Sequence, residues 1–385
     1  MIYLDNAATT QPSEKAFRLA EEFLCEKFYN PSAMYMEGHA LQGELKKARS
    51  VLLSSIASET DFELVFTSCG TEADNHAVFS FAKRGNAVTT SGEHSAVHAC
   101  FVELKNRGVI EARFAPLNKD GSVNEQKLIE LVDSKTSFVS VIHVNNETGA
   151  VNDIAKIAAL AKEKNPSVLI HCDAVQGFLK LPEPLAALPA DLITVSSHKI
   201  CGPKGVGALF VREKVLQTKS LVPFVHGGGQ ESGMRSGTEN TVGIAGFGAA
   251  AEYEFKNLSA SLESFASLRA YAEELIAEKL PDVRVNTPAG RYAPHIMSLT
   301  LPGIRSETML HFLSRSGVFV SSGSACSSNS GHKSHVLLSF GLPEKEADST
   351  IRVSFGVQNT KDDVDNLVNS LAAGIASLAR RTKQR

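Results

Sequence analysis

Asp191-Leu-Ile-Thr-Val-Ser-Ser-His-Lys199-Ile-Cys-Gly-Pro-Lys-Gly-Val-Gly207 is a short apolar run that breaks into a polar turn carrying one lysine. Lys199 therefore falls where a strand ends. Ser196, Ser197 and His198 place hydrogen-bonding groups just before it, and Gly202-Pro203 with Gly205 and Gly207 bends the backbone after it. A lysine in such a turn can reach into a cleft. Taken alone, the stretch describes a solvated loop equally well, so its meaning depends on the rest of the chain.

Around it the chain repeats one unit: a short apolar run, a turn of small polar residues, then an amphipathic helix. The runs are Leu64-Val-Phe66, Ala87-Val-Thr89, Phe138-Val-Ser-Val-Ile142, Val168-Leu-Ile170, Leu192-Ile-Thr-Val195 and Val206-Gly-Ala-Leu-Phe-Val211. Their alternation with helix-length segments predicts an α/β fold, a largely parallel sheet covered by helices on both faces. A ligand site is then expected in the loops at the strands' carboxyl ends. Upstream, residues 2–10 read as an extended piece entering a polar turn, Ser13 as the cap of a helix to about Phe28, and Leu41, Leu45, Ala48, Leu52 and Ile56 as one helical face. After about Lys256 the chain turns Ala/Glu/Leu-rich, with strands expected near 283–285, 296–300, 318–320 and 351–354. A final helix begins near Thr360, with Asp363 in a capping-box position. We therefore expect a large unit over 14–256 and a smaller α+β unit formed by 1–13 and 257–385.

At 385 residues with 43% hydrophobic content, the chain is long enough for two or three domains and a substantial core. A net charge of −3 gives no bulk electrostatic reason to expect nucleic acid or an acidic membrane. Asp5 interrupts the first residues, and no long uncharged run follows, so a soluble, cytoplasmic protein without a leader is expected. The six cysteines show no CxxC spacing, which indicates neither a zinc knuckle nor a disulfide framework.

The turns after the strands hold the polar residues. Thr67-Ser-Cys-Gly-Thr71-Glu-Ala-Asp-Asn75 puts Gly70 and Thr71 at a helix start, where open N–H groups and the helix dipole favour a phosphate. Gly92-Glu93-His94 follows the next strand. His94 and His98 share a helical spacing, but no third ligand accompanies them, so a metal is not expected and a ring over a flat cofactor suits His94 better. His143-Val-Asn145-Asn146-Glu147-Thr-Gly149 supplies amides for an oxygen or carboxylate partner, or is simply an Asx-rich turn. Asp173, in His171-Cys172-Asp173-Ala174-Val175-Gln176, ends a buried strand and needs a cation. A pyridinium nitrogen is such a cation, and a lysine one strand later that can form a Schiff base completes the requirements of pyridoxal phosphate. Thr71, Ser196 and His198 then suit its phosphate, and Gln176 its phenolic oxygen. The glycine-rich His226 to Thr238 stretch contains Arg235 and reads as a flexible or a functional loop. In Ser321-Ser-Gly-Ser-Ala-Cys326-Ser-Ser-Asn-Ser-Gly-His-Lys-Ser-His335, small polar neighbours predict a mobile loop and a reactive thiol at Cys326.

Together these motifs resemble, essentially end to end, the cysteine desulfurases of the iron-sulfur-cluster and nitrogen-fixation type within the class V aminotransferases. The resemblance implies a fold-type I pyridoxal-phosphate enzyme with a mostly parallel seven-stranded sheet, working as a homodimer with its sites at the interface. It would release alanine from L-cysteine and keep the sulfur as a persulfide on Cys326, for an iron-sulfur scaffold, a sulfur carrier or tRNA thiolation. By position, Lys199 holds the cofactor covalently, His94 stacks on the ring and serves catalysis by moving protons, and Asp173, Gln176 and Asn146 bind the cofactor. Gly70, Thr71, Ser196, His198 and, from the second subunit, Thr238 hold the phosphate, while Asn146 and Arg352 hold the substrate carboxylate. Cys201 stands where the family usually has an aromatic residue or histidine, and Val357 where it often has arginine. The rival readings are a selenocysteine lyase, another class V transaminase and a non-catalytic cluster-assembly scaffold; Cys326 disfavours transamination, and Lys199, Asp173 and Cys326 together disfavour the scaffold.

Overall fold

A computed structural model describes residues 1–57, 61–218, 221–286, 290–301, 303–322, 334–339 and 341–382. Its strands are, in chain order, β1 (Ile2–Tyr3), β2 (Phe62–Thr67), β3 (Asn86–Thr90), β4 (Glu111–Ala115), β5 (Thr136–Ile142), β6 (Leu169–Asp173), β7 (Leu192–Ser196), β8 (Gly207–Arg212), β9 (Arg284–Val285), β10 (Ile296–Thr300), β11 (Val318–Phe319), β12 (Ser321–Ser322) and β13 (Thr350–Ser354). Seven of them form one sheet in the order β2-β8-β7-β6-β5-β3-β4. β8 runs antiparallel to both of its neighbours, and the other pairings are parallel. The fold is thus α/β with a mostly parallel sheet.

Two-residue alternation along the buried strands divides that sheet between two cores. Val65, Leu209, Leu192, Leu169 and Phe138 face the helices Gly70–Phe81 and Ser95–Asn106. Their chain neighbours Phe66, Phe210, Ile193, Ile170 and Val139 face the helices Glu14–Cys25, Met36–Ile56 and Ile154–Lys164. The predicted helical face of Leu41, Leu45, Ala48, Leu52 and Ile56 is buried there as one stripe. Ser13 accepts a hydrogen bond from Ala16 N at 3.2 Å, so it caps the first helix, which ends at Cys25 rather than near Phe28. β4 is absent from the sequence-based expectation because Glu111 and Arg113 interrupt it. It sits at the sheet edge, where Arg113 pairs with Glu111 and Asp133, so an apolar run is not required.

A second sheet, β12-β13-β10-β9, and the parallel pair β1-β11 surround a separate core containing Leu4, Phe265, Leu268, Met297, Ile351 and Leu367. The 39-residue helix Thr241–Lys279 joins the two: Ile244 and Phe247 enter the large core, Phe265 and Leu275 the second. Position 256 lies inside this continuous helix. The last helix begins with the expected reciprocal cap, Thr360 N donating to Asp363 Oδ2 at 3.0 Å. Among the described residues, no helix is long and apolar enough to cross a membrane.

Candidate active site

β7 is buried along its length and leaves the sheet in a single 3-10 turn, Ser197–Lys199. A side chain at position 202 would collide with Ser197 Oγ, so the turn closes only on glycine. Just before it, Cys201 adopts φ +59°, a left-handed conformation that costs a non-glycine residue on the order of 1 kcal/mol. Hydrogen bonds to the chain's first residues hold that conformation: Cys201 N donates to Thr10 Oγ1 at 2.7 Å and Cys201 O accepts from Ser13 N at 2.8 Å. Lys199 Nζ donates to the carbonyls of Ala7 and Ala8, 2.7 Å each. The amino-terminal turn therefore lies across the lysine. Sequence reasoning assigned it no task, since backbone carbonyls leave no mark on residue type.

β6 lies beside β7 with Asp173 opposite Thr194. The Asp173 carboxylate is buried and accepts from Val175 N at 3.0 Å; burial raises its pKa, and this N–H and the Lys199 charge draw it back. One ligand-type atom each from Asp74, His94 and Asp173 lie within 4.8 Å of one another. His94 caps the helix Ser95–Asn106, its Nδ1 accepting from Ala96 N at 3.2 Å. Burial, then the charge of Lys199, lowers its pKa to about 4, so at neutral pH it presents an uncharged flat ring. His98 is engaged elsewhere, its ring 5.1 Å from Phe114 and 4.9 Å from His335.

The start of the helix Gly70–Phe81 has no side-chain cap, which leaves its first N–H groups open toward the turn. Ser196 lies against that start, for a Cβ built on Gly70 would be 3.4 Å from its own. Ser196 Oγ is buried with no hydrogen-bond partner, a state that costs roughly 1–3 kcal/mol unless a ligand relieves it. His198 Nδ1 is 3.2 Å from Thr9 Oγ1, and burial lowers its pKa to about 4. Thr71 is exposed at the helix start, and Gln176 donates through Nε2 to Ala7 O at 2.8 Å, bracing the amino-terminal turn. Thr238 is exposed and takes part in none of these hydrogen bonds among the described residues. An open helix start, an unsatisfied hydroxyl, a buried carboxylate and a lysine at successive strand ends fit a flat, phosphorylated, cationic heterocycle.

Arg352, on β13, is buried and donates to Asn146 O at 2.9 Å and Asp5 Oδ1 at 2.8 Å. Arg352 Nε and Asn146 Oδ1 are both buried and unpaired, which suits an incoming carboxylate and a small donor. Cys326 and His332 lie outside the described residues. The chain on either side of them reaches this end of the site. Ser321 pairs with Arg352, and Ser334 Oγ donates to Glu147 Oε2 at 2.6 Å.

Burial raises the Glu147 pKa from 4.5 to about 7. Between those values the folded protein holds a proton that the unfolded chain has lost, so stability falls as pH rises through the window, by about 3 kcal/mol in all. Glu147→Gln keeps an acceptor for Ser334 without the buried charge. It is expected to melt several degrees above wild type at pH 8 and close to it at pH 4.5; equal melting at pH 8 would contradict this assignment.

The glycine-rich stretch is anchored. Glu231 accepts from Arg49 at 2.7 Å and Phe66 N at 2.8 Å, and Arg235 Nε donates to Glu72 at 2.8 Å beside the helix start. Of the two departures noted in the sequence, Cys201 is buried, its pKa pushed to about 11 by burial and then by the charge of Glu254, while Val357 is exposed.

Residues 2–367 match the family model described as Aminotransferase class-V. A cysteine desulfurase IscS of Clostridium botulinum strain Hall is 36% identical over 377 residues, covering 96% of this chain and 93% of that protein. A solved structure titled NifS-like protein superposes with a TM-score of 0.89 at 31% identity, covering 97% of this chain and 99% of the other. Another, titled SspA in complex with cysteine, gives 0.78 at 30% identity, covering 92% and 99%.

Proposed function

Since the chain belongs to the class V aminotransferase family, we propose that it is a pyridoxal-phosphate-dependent cysteine desulfurase, taking sulfur from L-cysteine and releasing L-alanine. The observation that carries this reading is the placement of Lys199 beside the buried Asp173, with the unsatisfied Ser196 hydroxyl at the start of an uncapped helix. When bound there, pyridoxal phosphate supplies an electron sink for negative charge next to the substrate's amino group. Asp173 would hold the ring nitrogen, neutral His94 would offer its flat ring to the cofactor, and Gln176 would serve the phenolic oxygen. Gly70, Thr71, Ser196 and His198 bind the phosphate, joined by Thr238 of a second copy, which makes the working unit a homodimer.

Arg352 and Asn146 orient the substrate carboxylate; the Asp5 contact holds the guanidinium in place beforehand. Lys199, released from the Ala7 and Ala8 carbonyls, moves the proton at the substrate Cα. Cys326 takes the sulfur atom as a persulfide and passes it to an acceptor protein of the scaffold or carrier class, in the cytoplasm. The division into units 14–256 and 1–13 with 257–385 belongs to the same reading, the second unit carrying the cysteine loop.

Incubation of the purified, pyridoxal-phosphate-loaded protein with L-cysteine and a thiol reductant tests it. Alanine and sulfide are expected in equal amounts. Absence of alanine would overturn the proposal, and release of selenide from selenocysteine with none of sulfide from cysteine would make the protein a selenocysteine lyase.

A further inference from the structure

Behind Asp173 runs a buried polar chain that the proposed reaction does not use. Asp74, on the helix Gly70–Phe81, is buried, and its carboxyl comes within 4.8 Å of the Asp173 carboxylate and of the His94 ring. Its Oδ1 has no hydrogen-bond partner and lies 3.6 Å from His171 Nε2. That nitrogen is 3.0 Å from Thr194 Oγ1, and His171 Nδ1 is 2.8 Å from Ser140 Oγ. Ser140, His171 and Thr194 come from three adjacent strands, β5, β6 and β7, so the chain crosses the sheet beside Asp173.

The groups facing Asp74 are Asp173, Glu93, Cys69, His171 and His94; two are acids, and none is a permanent cation. The nearby Lys199 charge acts on Asp173. Two carboxylates this close in a dry site do not both ionise. Burial first, then the charge of Asp173, raises the Asp74 pKa well above the ordinary carboxyl range against the opposing pull of the Thr194 hydroxyl, and burial keeps His171 neutral, so neither supplies a compensating charge.

We propose that Asp74 is a positioning residue of the cofactor pocket: held as a neutral acid, it leaves a single negative charge on the Asp74–Asp173 pair and thereby sets how strongly Asp173 holds a cationic ring nitrogen. This rests on the pyridoxal-phosphate reading above. Asp74 touches no reacting atom in it. Its effect passes through Asp173.

Three measurements test it. The infrared spectrum of the cofactor-free protein at pH 7 is expected to show a protonated carboxylic acid band that Asp74→Asn lacks; the difference spectrum separates it from any contribution of Glu93 or Glu147. Titration of pyridoxal phosphate into the cofactor-free proteins is expected to show binding weakened about tenfold or more in Asp74→Ala, which leaves a gap beside Asp173 for water to fill and screen its charge, and largely rescued in Asp74→Asn, neutral and of the same shape. The pH midpoint of the visible band in Asp74→Asn is expected to coincide with that of wild type. A midpoint moved by about one unit or more would mean that Asp74 is ionised. That shift, a wild type lacking the infrared band, or undiminished affinity in Asp74→Ala would each overturn the proposal. If Asp74→Ala does not fold, the infrared and pH comparisons of wild type with Asp74→Asn decide. Failure of wild type to bind pyridoxal phosphate would sink the cofactor reading instead, with the infrared result still deciding the charge of Asp74.

Discussion

Lys199→Ala is expected to lower alanine formation from L-cysteine by at least about 10³-fold and to remove the visible band of the lysine-linked cofactor. The physical basis is that one amine serves two tasks, holding the cofactor and moving the substrate proton, so no partial function survives its loss. The fold survives. Lys199 is half-buried, and its partners are the carbonyls of Ala7 and Ala8, which water can satisfy when the ammonium is gone. Its removal leaves the hydrogen bonds from Thr10 to the His198 carbonyl intact at 2.8 and 2.9 Å, so circular dichroism and melting should stay close to wild type. A variant with the wild-type absorption spectrum would refute the assignment of Lys199.

Cys326→Ala is expected to keep that visible band and to lower sulfide release by about 10²-fold or more. Each group proposed to hold the cofactor lies outside the cysteine segment, so binding and sulfur acceptance separate cleanly. Three of the other thiols are poor substitutes: burial raises the pKa of Cys172 and pushes that of Cys100 to about 12 and that of Cys201 to about 11, leaving little thiolate at neutral pH, while Cys69 stands at the N-cap position of the helix Gly70–Phe81. Cys25 is exposed at the end of the first helix. Full turnover by Cys326→Ala with a protein acceptor would remove the persulfide role and leave the cofactor assignment standing.

What the amino-acid sequence made legible was the part written in side-chain type and local spacing. Apolar runs located six of the seven strands of the large sheet, and the polar residues after them, Asp173, Ser196 and Lys199 among them, do gather at one edge. β4 escaped because an edge strand tolerates Glu111 and Arg113. The lysine's two carbonyl partners escaped for another reason: any residue has a carbonyl, and Ala7 is 192 positions away. Distance also hid the pairing of Arg352 with Asp5 and of Ser334 with Glu147. Asp74 was visible in the Thr67 to Asn75 motif, but its significance arises only where packing places a second carboxyl beside Asp173.

The amino-terminal turn also constrains how the polypeptide acquires its shape during translation. Residues 2–10 leave the ribosome long before their partners, for β1 needs Val318 and Phe319 of β11, and the backbone near Asn6 and Ala7 needs Ser354. A nascent chain that has completed the large sheet can hold this turn from one side only, through Gln176, His198 and Cys201. Until β13 has been made, the carbonyls of Ala7 and Ala8 that receive the Lys199 ammonium lack their second set of anchors, on Ser354. The turn that lies across the lysine is thus held from both sides only once β13 has joined it.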